Sequence, residues 1–265
     1  MTVIPALKTE LAEATHHLLA TAATLSDGDV AAPSRLTGWT RGHVLTHVAR
    51  NADSHVNLLT WARTGVKTPQ YATPKARQAG IEAGARRVAA EQLADLEDSA
   101  ARLAAAVDGL PEEAWSAPVA GVRPTSHPAW YVLVRRLREI GMHHVDLDAG
   151  FGPADWSGPF VERELHDCLR TWPYERSTVS EIRVRGGVDG APAATWRGLG
   201  DGPAVEGGPA ALLAWLTGRS DGQGVRVVLA GQPSVPGPAS VPAPPPWLTT
   251  LAPADLPETP PKDYP

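Results

Sequence analysis

Apolar side chains recur three or four residues apart at the start of the chain, at Leu7, Leu11, Ala14, Leu18 and Leu19, with Pro5 placed where a first helical turn tolerates proline. This spacing predicts a helix over about Pro5–Leu25. A short loop with Pro33 and Gly38 leads to Thr40, a good N-cap. From Arg41 to Arg63 the apolar positions Val44, Leu45, Val48, Ala52, Val56 and Leu59 keep helical register, and Gly65 is placed to end the helix. A third helix is expected over Lys75–Val107, carried by Ile81, Val88, Leu93, Leu96, Leu103 and Val107, with Gly80 and Gly84 weakening its start. Beyond Asp108-Gly109 and a loop rich in proline and glycine, a fourth runs from about Ala129 to Leu147. Four long helices joined by loops predict a four-helix bundle.

The pattern changes after Gly150. A short helix near Phe160–Trp172 precedes Glu181-Ile182-Arg183-Val184-Arg185, which alternates polar and apolar as a half-exposed strand does. Ala194–Leu199 and Val225–Ala230 have strand composition, and Pro209–Leu216 between them reads as a helix closed by Gly218. The predicted fold class is therefore α+β: a helix bundle over residues 1–152, a small α+β domain over 153–232, and a tail over 233–265. Proline dominates that tail, which is expected to be extended and largely disordered.

Composition removes several classes of function. With 24 Lys and Arg against 29 Asp and Glu, the formal net charge is −5, and no basic stripe offers a footprint for nucleic acid. No long uncharged apolar run exists to span a membrane, and Lys8, Glu10 and Glu13 interrupt the stretch a signal peptide would need. The single cysteine, Cys168, cannot close an internal disulfide and reads as a small core residue. These features fit a cytoplasmic monomer or small homo-oligomer acting on small molecules.

The informative positions are histidines and a carboxylate on helices two and four. His43, His47, Asn51 and His55 follow at intervals of four and form a polar ridge. Glu139 and His143 are also four apart, so they project from one face of the fourth helix. Two bundle helices presenting His and Glu-plus-His inward are suited to a divalent metal, and a His₂Glu set leaves one coordination position open. The favoured set is His47, Glu139 and His143. Spacing alone also admits a surface Glu139–His143 ion pair, or a two-histidine site of His43 and His47.

Three segments carry a resemblance. Gly38-Trp39-Thr40-Arg41-Gly42-His43-Val44-Leu45-Thr46-His47-Val48-Ala49-Arg50-Asn51-Ala52-Asp53 resembles the helix-two signature of the mycothiol-dependent maleylpyruvate isomerase family, within the wider group of DinB-like metal-binding bundles. Arg138-Glu139-Ile140-Gly141-Met142-His143-His144-Val145-Asp146-Leu147 is similar to its helix-four segment. Gly208-Pro209-Ala210-Ala211-Leu212-Leu213-Ala214-Trp215-Leu216-Thr217-Gly218-Arg219 looks like its C-terminal-domain signature, and the likeness covers about residues 1–231.

The resemblance implies an N-terminal DinB-like bundle with zinc, or another divalent metal, on His47, Glu139 and His143. It implies mycothiol as the thiol cofactor, deprotonated on the metal and added to an electron-poor double bond of maleylpyruvate. Rotation about the resulting single bond and loss of the thiolate would give fumarylpyruvate. An anionic substrate needs cationic partners, and the candidates are Arg50, for binding, and Arg219, as a catalytic residue from the C-terminal domain. His43 is expected near the site entrance as a cofactor-binding residue, and His144 in packing. Two alternatives stand beside the isomerase: a mycothiol S-transferase acting on an electrophile in detoxification or natural-product biosynthesis, and a non-catalytic metal-binding DinB-like protein.

Overall fold

The computed structural model describes residues 1–122, 126–187, 191–228, 241–246 and 251–265. The chain divides into two compact units, one of Met1–Gly152 with Asp255–Tyr264, the other of Pro153–Ala254 with Pro265.

In the first unit α1 spans Ile4–Ala23, α2 Asp27–Ala31, α3 Arg41–Thr64, α4 Pro74–Gly84, α5 Ala89–Asp108 and α6 Tyr131–Asp146. A two-stranded antiparallel hairpin, β1 (Pro118–Ala120) and β2 (Ser126–Pro128), precedes α6. Both α1 and α3 pack on α5 and α6, so the four long helices close a ring in which α1 and α3 are diagonal. Nearly every residue of α6 is buried, as suits a helix covered on most sides. The ends of α3 follow from single residues. Thr40 Oγ1 accepts the His43 backbone N–H, His43 Nδ1 accepts that of Thr40, and Gly65 closes the helix at φ 71°.

The third helix expected over Lys75–Val107 is two helices, α4 and α5, separated at 85–88. Close approach of α4 to α3 explains the break. A Cβ at Gly42 would collide with the Ala85 carbonyl, and one at Gly84 would lie 2.5 Å from Thr46 Cγ2. Gln92 then stitches the crossing: its Nε2 donates to Gly84 O at 2.9 Å and Gly42 O at 3.4 Å, and its Oε1 accepts from Thr46 at 3.1 Å. Helix propensity alone would make Gly42→Ala stabilising by ~1 kcal/mol. The Ala85 contact reverses that sign, and thermal unfolding of Gly42→Ala should show a loss of roughly 1–3 kcal/mol.

The second unit contains α7 (Gly158–Arg170), β3 (Glu181–Val184), β4 (Ala194–Arg197), β5 (Ala204–Gly207), α8 (Pro209–Leu216) and β6 (Val225–Val228). Its sheet has the order β4-β3-β5-β6, with β3 and β5 parallel and the outer pairs antiparallel. Leu212, Leu213 and Trp215 of α8 are buried, and the helix packs on α7, β5 and β6. Cys168 is buried in α7. β5 was not expected, because with Val205 and Gly207 as its buried positions it is too short to alternate visibly. The end of the strand expected over Val225–Ala230, at 229–230, and tail positions 233–240 and 247–250 lie outside the described residues.

Described parts of the tail make contacts within each unit. Within the first unit Val3 N–H donates to Pro261 O at 2.8 Å, Trp130 Nε1 donates to Pro257 O at 2.9 Å, and Tyr264 meets the Trp130 ring edge-on at 5.1 Å. Within the second, Trp215 Nε1 and Thr178 Oγ1 donate to the carbonyls of Pro242 and Ala243. A proline-rich strand has carbonyls that its own backbone does not use, and two buried indole N–H groups need acceptors.

Candidate metal centre

His47 lies on α3 and Glu139 and His143 on α6, so the centre sits at the packed interface of two helices held in fixed register. Arg136, one turn before Glu139, sets that register. Arg136 is 2 % exposed, and its guanidinium donates to Val48 O at 2.9 Å and Asn51 Oδ1 at 2.8 Å, both on α3. Burial pulls Arg136 down to about 10, which leaves it charged at neutral pH.

The two imidazoles converge on one oxygen. Glu139 Oε2 is 3.1 Å from His47 Nε2 and 3.4 Å from His143 Nε2, and the rings meet edge to face with centroids 4.6 Å apart. The ligand atoms of the three residues all fall within 4.8 Å of one another. Glu139 keeps a quarter of its side-chain surface, while both histidines are nearly covered. Burial would push Glu139 up, but hydrogen bonds from His143 and His47 overcome it and hold the carboxylate well below its usual range. Burial lowers His47 and favours its neutral, ligating form. His143 is pulled down by burial as well, yet its bonds to Asp146 and Glu139 raise it on balance.

This donor set fits a divalent metal. Two nitrogens and an anionic oxygen aimed at one point match zinc and its neighbours, and three protein ligands leave a position for an exogenous group. Asp146 Oδ2 accepts from His143 Nδ1 at 2.9 Å, which fixes that ring with Nε2 facing the centre. Loss of such a support typically costs ten- to a hundredfold in metal affinity, so Asp146→Asn should weaken cobalt binding by about that factor in a chelator competition.

The other sequence candidates have partners of their own. His43 serves as the capping partner of Thr40, its Nε2 is 3.5 Å from Glu82, and it stacks on Trp39; among the described residues the three-residue cluster of possible ligands is His47, Glu139 and His143, without His43. Arg50 pairs with Asp95 of α5 at 2.6 Å and with Asp53 at 3.0 Å. Arg219 belongs to the second unit and donates to Thr217 O at 2.7 Å. His55 bonds to Asn51 O inside the bundle. His144 is packed, hydrogen-bonded to Thr21 Oγ1 at 2.7 Å and stacked on Phe151.

Sequence reasoning missed Asp146 and Arg77. The first was within reach, since an Asp three residues after His143 shares its helix face. Arg77 comes from α4, and its NH2 lies 3.3 Å from His47 Nδ1; no spacing rule links positions on those two helices.

Comparison with known proteins agrees with this architecture. Residues 11–148 match the mycothiol maleylpyruvate isomerase N-terminal domain family. Two solved structures are similar, the mycothiol-dependent maleylpyruvate isomerase at 28% identity and a histidine-to-alanine mutant of it at 27%. In each case the TM-score is 0.77, over 91% of this chain and 96% of the other. No curated protein matches the sequence. The α+β expectation, a helical N-terminal domain followed by a sheet domain, agrees with that likeness. With its helical unit matched nearly from end to end, the chain belongs to the mycothiol maleylpyruvate isomerase family.

Proposed function

We propose that this chain is a mycothiol-dependent maleylpyruvate isomerase whose divalent metal, zinc by the chemistry of the donors, is held by His47, Glu139 and His143. The observation that carries this reading is the convergence of both imidazole Nε2 atoms on Glu139 Oε2. When bound, the metal supplies Lewis acidity, lowering the pKa of a thiol so that thiolate is present at neutral pH. The chain's own residues prepare that position. Glu139 contributes negative charge that a dication neutralises, Asp146 holds the His143 ring, and Arg136 fixes α3 against α6 so that the three ligands stay aligned. His43, capped onto Thr40, is not placed to become a fourth ligand, which favours an open centre over a closed structural one.

The net reaction is a cis-to-trans change at one carbon–carbon double bond, with no atoms gained or lost and the thiol regenerated. The test is an assay of the zinc-loaded protein with maleylpyruvate, with and without mycothiol, followed by ultraviolet absorption and proton NMR. Fumarylpyruvate formed only with both thiol and metal, at constant mycothiol, is the expected result. Consumption of mycothiol into a stable adduct would replace the isomerase with the S-transferase alternative. Metal binding without either product would favour the non-catalytic reading.

A further inference from the structure

The contact between Arg77 and His47 fixes a proton. A guanidinium can only donate, so at 3.3 Å the Nδ1 atom of His47 must be the acceptor. The proton of the neutral ring then sits on Nε2 and is donated to Glu139 Oε2 at 3.1 Å. A metal in the centre requires the opposite arrangement: Nε2 presents its lone pair, Nδ1 carries the hydrogen, and that hydrogen faces another donor. The Arg77–His47 contact and a loaded centre therefore exclude each other.

An anionic acceptor satisfies both groups at once and also pairs the guanidinium charge. A carboxylate between them accepts from the guanidinium and from the His47 Nδ1–H. Arg77 is suited to this, because among the described residues it has no carboxylate partner, whereas Arg50 and Arg87 share Asp95 and Arg102 takes Asp53. Its guanidinium lies 5.8 Å from the centroid of the Tyr71 ring, which steadies it beside the centre. Tyr71 itself follows α3 and is hydrogen-bonded to Ser54 and Arg77.

We propose that Arg77 binds a carboxylate of the small-molecule substrate next to the metal, and that loading the centre releases it from His47 to do so. This rests on the metal-centre reading above. It also supplies the cationic partner for which Arg50 was the sequence candidate. Because binding free energies are reciprocal, metal and carboxylate should tighten each other.

The experiment uses succinate, which has no double bond to react, titrated calorimetrically into the full-length protein with and without cobalt. Wild type should bind succinate at least tenfold more tightly when cobalt is present. Arg77→Met should weaken succinate binding to the cobalt form by roughly ten- to a hundredfold, the scale of a lost charge-assisted hydrogen bond. Arg77→Lys should recover part of it, and cobalt affinity in Arg77→Met should be equal or higher, because a competing contact is gone. Circular dichroism of both variants checks that the fold is intact. Succinate binding at wild-type strength in Arg77→Met, which places the carboxylate on the metal alone, would overturn the proposal. So would equal affinity in the cobalt-free protein. If that happens while mycothiol still gives a sulfur-to-cobalt band, only the role of Arg77 falls; if wild type fails to bind cobalt, the metal-centre reading falls with it.

Discussion

Replacing His47 with alanine is expected to abolish stoichiometric metal binding while leaving the bundle folded. A complete protein zinc site is worth roughly 10–16 kcal/mol, so removing one of three ligands should cost several kcal/mol and weaken binding more than a hundredfold. Glu139→Gln should behave alike, since the amide gives up the charge on which both imidazoles converge. His144→Ala is the matched control. Its ring is spent on Thr21 and Phe151, so metal affinity should change little even if stability falls. Equal losses in all three variants, measured by equilibrium dialysis with cobalt, would overturn the ligand assignment.

The second large effect is on stability in mild acid. Burial pushes both His55 and His127 down to about 4 in the folded protein, against 6.5 as the ordinary value. Between those limits the unfolded chain binds more protons than the folded one, so stability rises with pH and is lost as pH falls from about 6.5 toward 4. At ~1.36 kcal/mol per pH unit, each histidine should remove about 3 kcal/mol across that window. His143 acts in the opposite sense: its raised value favours the folded state below about 6.5, and that contribution disappears as pH rises through the folded value. Urea unfolding at pH 7 and pH 4.5 checks the sum. His127→Phe, which keeps a ring against Tyr131, should flatten the acid limb by about one proton. An unchanged slope would contradict the assignment.

How far the sequence discloses this protein depends on the range of the interaction involved. Thr40 and Gly65 mark the ends of α3 because capping and a left-handed turn are settled within four residues. Glu139 and His143 can be placed on one face because four residues make about one turn. The break before α5 is different. It comes from α4 passing over α3 at Gly42 and Gly84, positions whose spacing says nothing of each other. The same blindness explains Arg50: basic and one turn from His47, it looks available until Asp95 arrives from α5. It explains Arg77 as well, which only the fold brings to His47. The contacts of the C-terminal segment depend on Trp130 and Val3 far upstream, which its proline content does not disclose. Contacts within about one turn were legible, and so was the inward His and Glu-plus-His pattern of two helices; the ion pairs and close approaches that other elements bring were not.

The proposed function turns on an open metal position that accepts a thiolate. Mycothiol titrated into the cobalt-substituted protein and followed by visible absorption tests it most directly. The expected result is a new sulfur-to-cobalt charge-transfer band that saturates at one thiol per metal and is absent in His47→Ala. A cobalt spectrum that mycothiol leaves unchanged would contradict the account and move the non-catalytic metal-binding reading ahead of it.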